Sequence, residues 1–325
     1  MTSTDPGEVT AVDDTGDTSE LTDTVDVVIV GGGPSGCAAA VFTARYGLDT
    51  VVFDRGKSAF RRCAYLENYL GFPAGIGVDT FSQLMHEHVA EAGADYVQDM
   101  VESVDYADGE PRFIVETQDG RRVETDQVVA AAWYDGEYLR GLDGDDAMFE
   151  LHDHHGEEHE HFDSSYADDN GRTPVDGLYV AAPSGARNAQ VGIAAGHGAH
   201  VARCLLEDHR SEQGFPGDLA AHYDWLRPDS EFQGEWSDRD RWHEWFDNQI
   251  PNDTDIADDT VTDLRESYID RAFETRRTDA EVEEAESRGL RRLVETIGTE
   301  RVLDAIPDET LHSYHREHEL GGAES

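Results

Sequence analysis

The sequence predicts an α/β fold: a parallel central sheet with a smaller β-meander, followed by an α-helical C-terminal appendage. Three observations lead there. Residues 25–54 read as an apolar run, a glycine turn, a small-residue helix and a second apolar run. Short strand patterns punctuated by turn residues recur between Tyr96 and Ala132. Beyond about residue 207 the periods become helical, and the segment from Tyr223 to Trp245 holds four of the five tryptophans.

The first of these says most. Val25–Val30 runs into Gly31-Gly32-Gly33-Pro34-Ser35-Gly36, a helix pattern follows, and Val51–Phe53 closes on Asp54. That is the order and length of a dinucleotide-binding βαβ unit. Gly31 permits the sharp turn off the strand, Gly33 permits close approach of a pyrophosphate, and Gly36 permits the helix to pack on the strand. The helix N-terminus, opened by Pro34 and Ser35, offers unpaired N–H groups and a positive dipole end to phosphates. Asp54 lies 18 residues beyond Gly36, near the roughly 20 expected of an acid that holds a ribose. Its charge disfavours a 2′-phosphate.

The remaining elements follow in order. Residues 1–24 carry seven acids and no Lys or Arg, a solvated acidic tail. Residues 79–93 give a helix with Phe81, Leu84, Met85 and Val89 on one face. Strands are expected at Tyr96–Val104, Arg112–Thr117, Arg122–Thr125, Asp126–Ala132 and Leu178–Ala182, with a polar hairpin at His152–His161 about Gly156. A small-residue helix is expected at Gln190–Asp208. Two amphipathic helices come last, one striped by Val261, Leu264, Tyr268, Ile269, Ala272 and Phe273. The other is striped by Val282, Leu290, Leu293, Val294 and Ile297 and opens on a Thr278/Glu281 capping box. The expected division is a tail over 1–24, a nucleotide-binding domain over 25–206 and an acidic helical region over 207–325.

Composition narrows the setting. The formal net charge is −46, and Lys57 is the only lysine beside 24 arginines. Acids spread this evenly point to a haloarchaeal type of adaptation, in which concentrated salt shortens the Debye length to about 3 Å at 1 M. They argue against nucleic acid as a partner. Cys37, Cys63 and Cys204 are far apart with no metal-like spacing, which fits a reducing cytoplasm. No signal peptide and no apolar run of the ~20 residues that span a bilayer are expected.

The order of motifs resembles the thioredoxin reductase class of FAD-dependent pyridine nucleotide-disulfide oxidoreductases. The resemblance covers roughly residues 25–206. It is carried by Gly31–Gly36, Leu66-Glu67-Asn68-Tyr69 with Gly71-Phe72-Pro73, and Leu84-Met85-His86-Glu87-His88. It continues through Ala130–Trp133 with Tyr138-Leu139, Thr173–Tyr179, and Gln190-Val191. It implies a Rossmann-like domain that binds FAD through Gly31, Gly33, Pro34, Ser35, Gly36 and Asp54. It also implies that Asn68 lies against the flavin ring, that the backbone near Val101 faces adenine, and that Gln190 and Val191 present a helix N-terminus to the flavin. Trp133 stands where the family has glycine, and Ala182-Pro183 where it has Gly-Asp, leaving Ser184 as the nearest polar replacement. Only residues 143–172 lie where the family inserts a second nucleotide-binding domain, fewer than the ~50 a domain needs. No Cys-x-x-Cys is present.

The function expected is that of a cytoplasmic FAD-dependent oxidoreductase, with NAD(P)H, a dithiol or a ferredoxin-like carrier as electron donor. Its partners are a small molecule or small redox protein, and a homodimer is left open. The competing reading is a nucleotide-binding scaffold without redox work, motivated by Trp133 and Pro183; a flavoprotein lipid reductase is a third. Cys63, behind Arg61 and Arg62, is either a catalytic thiol beside the flavin or a small buried hydrophobe, and the second is favoured because no resolving cysteine is near. His152, His154, His155, His159 and His161 read as a solvated hairpin in preference to a metal site. Arg187 and Asn188 are placed near the flavin by position alone; His197 is within reach of it, but the glycines at 192, 196 and 198 favour a packed or solvent-edge histidine.

Overall fold

The computed structural model describes residues 23–132, 136–154, 157–163, 165–182, 190–251 and 256–319. The acidic tail therefore lies outside the described residues except for Asp23 and Thr24, as do Trp133, His155, Gly156, Pro183, Ser184, Arg187 and Asn188. No described helix is long and apolar enough to cross a membrane.

Strand β1 (Thr24–Val30) leads through the glycine turn to helix α1 (Pro34–Tyr46) and strand β2 (Thr50–Phe53). Helix α2 (Val78–Glu91) and strand β3 (Asp95–Val97) complete the parallel part on that side. Strands β4 (Val101–Tyr106), β5 (Phe113–Thr117) and β6 (Arg122–Ala130) form the antiparallel meander. A short helix α3 (Asp145–Met148) precedes the hairpin β7 (Phe149–His154) and β8 (Glu157–Phe162). Strand β9 (Leu178–Val180) and helix α4 (Val191–Glu212) return the chain to the sheet. The sheet runs β3-β2-β1-β6-β5-β4, with β9 added beside β6. Pairings among β3, β2, β1, β6 and β9 are parallel, and those of β4 with β5 and β5 with β6 antiparallel.

Burial on both faces explains why Val27–Val30 of β1 reads as an unbroken apolar run. Val28 and Val30 face a cluster containing Phe53, Phe113, Leu139 and Met148. Val27 and Ile29 face α1 and α4 through Ala39, Ala40, Leu205 and Leu206. Two expectations are corrected in the sheet. Tyr96–Val104 is two strands: β3 pairs with β2, and β4 with β5. Arg122–Thr125 and Asp126–Ala132 are one strand, β6, whose first half pairs with β5 and whose last residues pair with β9.

Helix α4 runs past Asp208 to Glu212, so one continuous helix joins the sheet to the appendage. The appendage comprises α5 (Arg239–Gln249), α6 (Asp258–Glu274), α7 (Asp279–Ile297), α8 (Thr299–Asp304) and α9 (Asp308–Glu319). Phe215, Leu219, Phe246 and Leu264 form one small core, and Phe232, Trp242 and Ile269 a second flanked by Trp236 and Trp245. Trp225, the first of the four clustered tryptophans, stays outside both cores at 69% exposed. The capping box at Thr278 and Glu281 is present. The apolar stripe of α7 is not a core stripe: Val282, Leu290 and Leu293 are exposed, and the helix meets α2 through Arg288–Glu91 and Arg292–Glu87 pairs.

The appendage docks at the C-terminal end of α1, away from the glycine turn. Arg271 donates to the Tyr46 carbonyl at 2.6 Å and Arg45 pairs with Asp224. His222 packs edge-on to Tyr46, with ring centroids 4.9 Å apart. Burial, and then Arg271 and Arg210, pull the His222 pKa down to about 4. Burial lowers His86, His88 and His209 in the same direction. Between pH ~6.5, where an unfolded histidine titrates, and pH 4 the unfolded chain binds more protons than the folded one. Stability contributed by these neutral rings is complete above pH ~6.5 and falls as the pH drops toward 4. His222→Phe is expected to flatten that slope in denaturant unfolding followed from pH 7 to pH 4.5; an unchanged slope contradicts the assignment.

Candidate functional site

The turn after β1 is shaped by one backbone requirement. Gly31 has φ +113°, and a Cβ there would stand 2.8 Å from the Ala132 backbone nitrogen. The chain can therefore pass over the ends of β1 and β6 only as glycine. Gly33 then caps α1 without any side-chain hydrogen bond, and the first turn of α1 holds no acid. Helix α4 opens in the same way: Gln190 is its N-cap, again with no side-chain cap bond and no acid in the first turn. Two helix N-termini with uncapped first turns thus border one cavity.

That cavity has a volume of about 430 Å³. Its walls include Gly31, Gly33, Pro34, Ser35, Asp54, Cys63, Gln190 and Val191, so eight of the twelve site residues expected from sequence come together. Gly36 does not line it but lies directly under the Gly31 carbonyl. Asn68 reaches the rim, where its side-chain amide donates to Gln190 Oε1 at 2.6 Å. Val101 is buried in the meander core and is not part of the wall. Ser184 lies outside the described residues.

Two side chains differ from expectation. The Ser35 hydroxyl donates to the Ala181 carbonyl, so it joins α1 to the end of β9 and is not free for a phosphate. Cys63 is exposed on the cavity wall, which removes its reading as a buried hydrophobe. Cys37 is the buried thiol near the turn: it donates to the Gly32 carbonyl at 3.3 Å, and burial, then Asp54, push its pKa up to about 12. His197 is half-buried and absent from the wall. In the hairpin, backbone register sets His152 opposite His159 and His161 opposite Glu150. Among the described residues no three His, Cys, Asp or Glu side chains are grouped to hold a metal.

Sequence reasoning missed Arg55, Lys57, Ser58 and Phe60 as wall residues and took Arg62 only as a neighbour of Cys63. A signal was present. Between Asp54 and Glu67 this acid-rich chain carries Arg55, Lys57, Arg61 and Arg62 and not one acid. Four cations without an acid stand out on a molecule of net charge −46.

The residues fit a dinucleotide. N-termini of α1 and α4 without side-chain caps, a turn that only glycine can make and an acid 7% exposed at the end of β2 come together at the cavity. Over residues 25–132 the chain matches the pyridine nucleotide-disulphide oxidoreductase family model. It is 32% identical to the thioredoxin reductase of Aquifex aeolicus over 109 residues, 33% of each chain. It is 39% identical to that of Bacillus subtilis over 81 residues, 24% of this chain and 25% of the relative. The chain thus matches about a third or less of the length of these relatives. A thioredoxin reductase structure from Gloeobacter violaceus superposes with a TM-score of 0.47 at 18% identity, over 63% of this chain and 98% of the other. Residues 25–132 are thus similar to the pyridine nucleotide-disulphide oxidoreductase family model and to a part of thioredoxin reductases.

Ser35→Ala is expected to cost about 1–3 kcal/mol of stability, because it leaves the buried Ala181 carbonyl without its donor. Nucleotide affinity should change little, since the backbone N–H at that position is kept. Chemical denaturation and ADP titration of the variant separate the two effects.

Proposed function

We propose that this chain is a cytoplasmic FAD-dependent oxidoreductase, accepting electrons from NAD(P)H or a small redox carrier and passing them to a small-molecule or small redox-protein acceptor. The observation that carries the reading is the convergence of two uncapped helix N-termini, the Gly31–Gly36 turn and Asp54 on one cavity.

On this reading the FAD pyrophosphate rests on the N-terminus of α1, between Gly33 and Gly36. Lys57, Arg55 and Arg62 offset the repulsion that so acidic a molecule exerts on an anion. Asp54 accepts from the adenosine ribose. Gln190, fixed by Asn68, sets the N-terminus of α4 against the flavin, where a positive dipole end favours the charge that builds on reduction. The bound flavin supplies the redox chemistry, and the protein binds, orients and tunes it. The exposed thiol of Cys63, on the same wall, is the group of this chain accessible to an incoming disulfide or peroxide. Ser184 is kept as a contact of the ribityl chain, and the backbone near Val101, not its buried side chain, as a contact of adenine.

Purification from multimolar salt should give a yellow protein with flavin absorbance bands. A colourless protein that refuses added FAD in high salt contradicts the proposal, and one that binds ADP or NAD without flavin or turnover points to a nucleotide scaffold instead. Gly31→Ala with Gly33→Ala should reduce flavin per chain to near zero while the C-terminal helices stay folded. Unchanged flavin content in that variant would place the cofactor elsewhere.

A further inference from the structure

Asp54 is held by a residue that the glycine fingerprint does not contain. Tyr96 of β3, beside the end of β2, donates its hydroxyl to Asp54 Oδ2 at 2.5 Å. The contact exists because residue 32 is glycine: a Cβ there would stand 2.6 Å from the Tyr96 hydroxyl and 2.7 Å from Asp54 Cβ. Position 32 is one that the G-x-G-x-x-G spacing leaves free. Its glycine therefore answers to the tyrosine and not to a phosphate. On the other side His86 of α2 stacks on the Tyr96 ring, with centroids 4.1 Å apart, and hydrogen-bonds the Gly32 backbone. Backbone pairing fixes the geometry from below, since the Asp54 N–H donates to the Val97 carbonyl at 2.9 Å. The carboxylate is thus clamped between β3, α2 and the turn.

This has a consequence for recognition. A carboxylate free to rotate beneath a ribose can accept from both hydroxyls, one on each oxygen. Here Oδ2 already accepts from Tyr96, which orients the carboxylate of this cavity-lining residue and leaves Oδ1 as the oxygen with both acceptor positions open among the described residues. We propose that Asp54 reads the adenosine ribose through Oδ1 alone, by one hydroxyl of the 2′,3′ pair, and that Tyr96 is the positioning residue imposing this. The inference rests on the nucleotide reading above and adds to it how the ribose is discriminated.

The test uses the full chain in multimolar KCl, stripped of co-purifying nucleotide and titrated calorimetrically with ADP, 2′-deoxy-ADP and 3′-deoxy-ADP. Loss of a hydrogen bond to a carboxylate should weaken binding roughly tenfold or more for one deoxy analogue, and less than about threefold for the other. In Tyr96→Phe the carboxylate gains a second free oxygen, so both analogues should bind more weakly than ADP, by similar factors. Equal losses for the two analogues in the native protein overturn the single-oxygen reading while leaving the nucleotide site intact, and this arm needs no variant to fold. A one-sided preference that persists in Tyr96→Phe removes the tyrosine from the role. Failure of all three nucleotides to bind removes the site itself.

Discussion

The site depends on how closely α4 is pressed onto the first turn of α1. At Gly198 a Cβ would lie 2.0 Å from the Ser35 carbonyl oxygen, so the two helices meet backbone to backbone. The Ser35 hydroxyl extends the joint to the Ala181 carbonyl beyond β9. Alanines 39, 40 and 202 continue the seam with no side chain large enough to part it. One contact therefore sets three things together: the height of α1 over the sheet, the direction of its N-terminus, and the place where α4 begins. The positive ends of two helices can act on one ligand only if their spacing is fixed to within a hydrogen bond, and no surface loop could hold it.

Exposed charge pairs weaken as salt rises, and the appendage has contacts that do not depend on them. Arg210 shows how. It is 3% exposed, donates to the Leu219 and Ala220 carbonyls at 2.8 and 2.9 Å, and lies 3.9 Å above the Phe215 ring. Arg271 likewise uses the Tyr46 carbonyl and sits 4.0 Å over that ring. Bonds to buried carbonyls and rings lose little to ions. The exposed Arg288 and Arg292 pairs that tether α7 lose much more, and α7 is also the helix whose apolar stripe stays uncovered.

What was legible in the chain divides along physical lines. The β1–α1–β2 unit announces itself because glycine, small residues and an acid are each required at fixed spacing. The break between β3 and β4 does not, because Tyr96 to Val104 stays compatible with extended backbone throughout, and only pairing partners decide where one strand stops. The unity of β6 was hidden for the opposite reason: its two halves face different neighbours, so their patterns differ within one strand. The stripe of α7 carried the correct period, but a period gives a face and not what covers it. Tyr96 and His86 were illegible as site residues because each is ordinary in its own element, and they meet Asp54 only through the register of β3 on β2.

The stretch between β6 and β9 bears on how electrons could reach the site. In the family this chain resembles, a second nucleotide-binding domain stands there, and its own strands and glycine turn present the reductant. Here the described residues of that stretch form α3 and the hairpin β7–β8, and Phe162 packs edge-on to Tyr166 and Phe149 against the meander core. The described residues of this connection hold no βαβ unit. On the proposed reading a donor meets an acidic surface that is broken locally by cations. The acid-free segment with Arg55, Lys57, Arg61 and Arg62 is such a break, and three of those four side chains border the cavity. On the proposed reading, the entry for cofactor and donor is therefore set by local charge reversal at that lip, in place of a second fold.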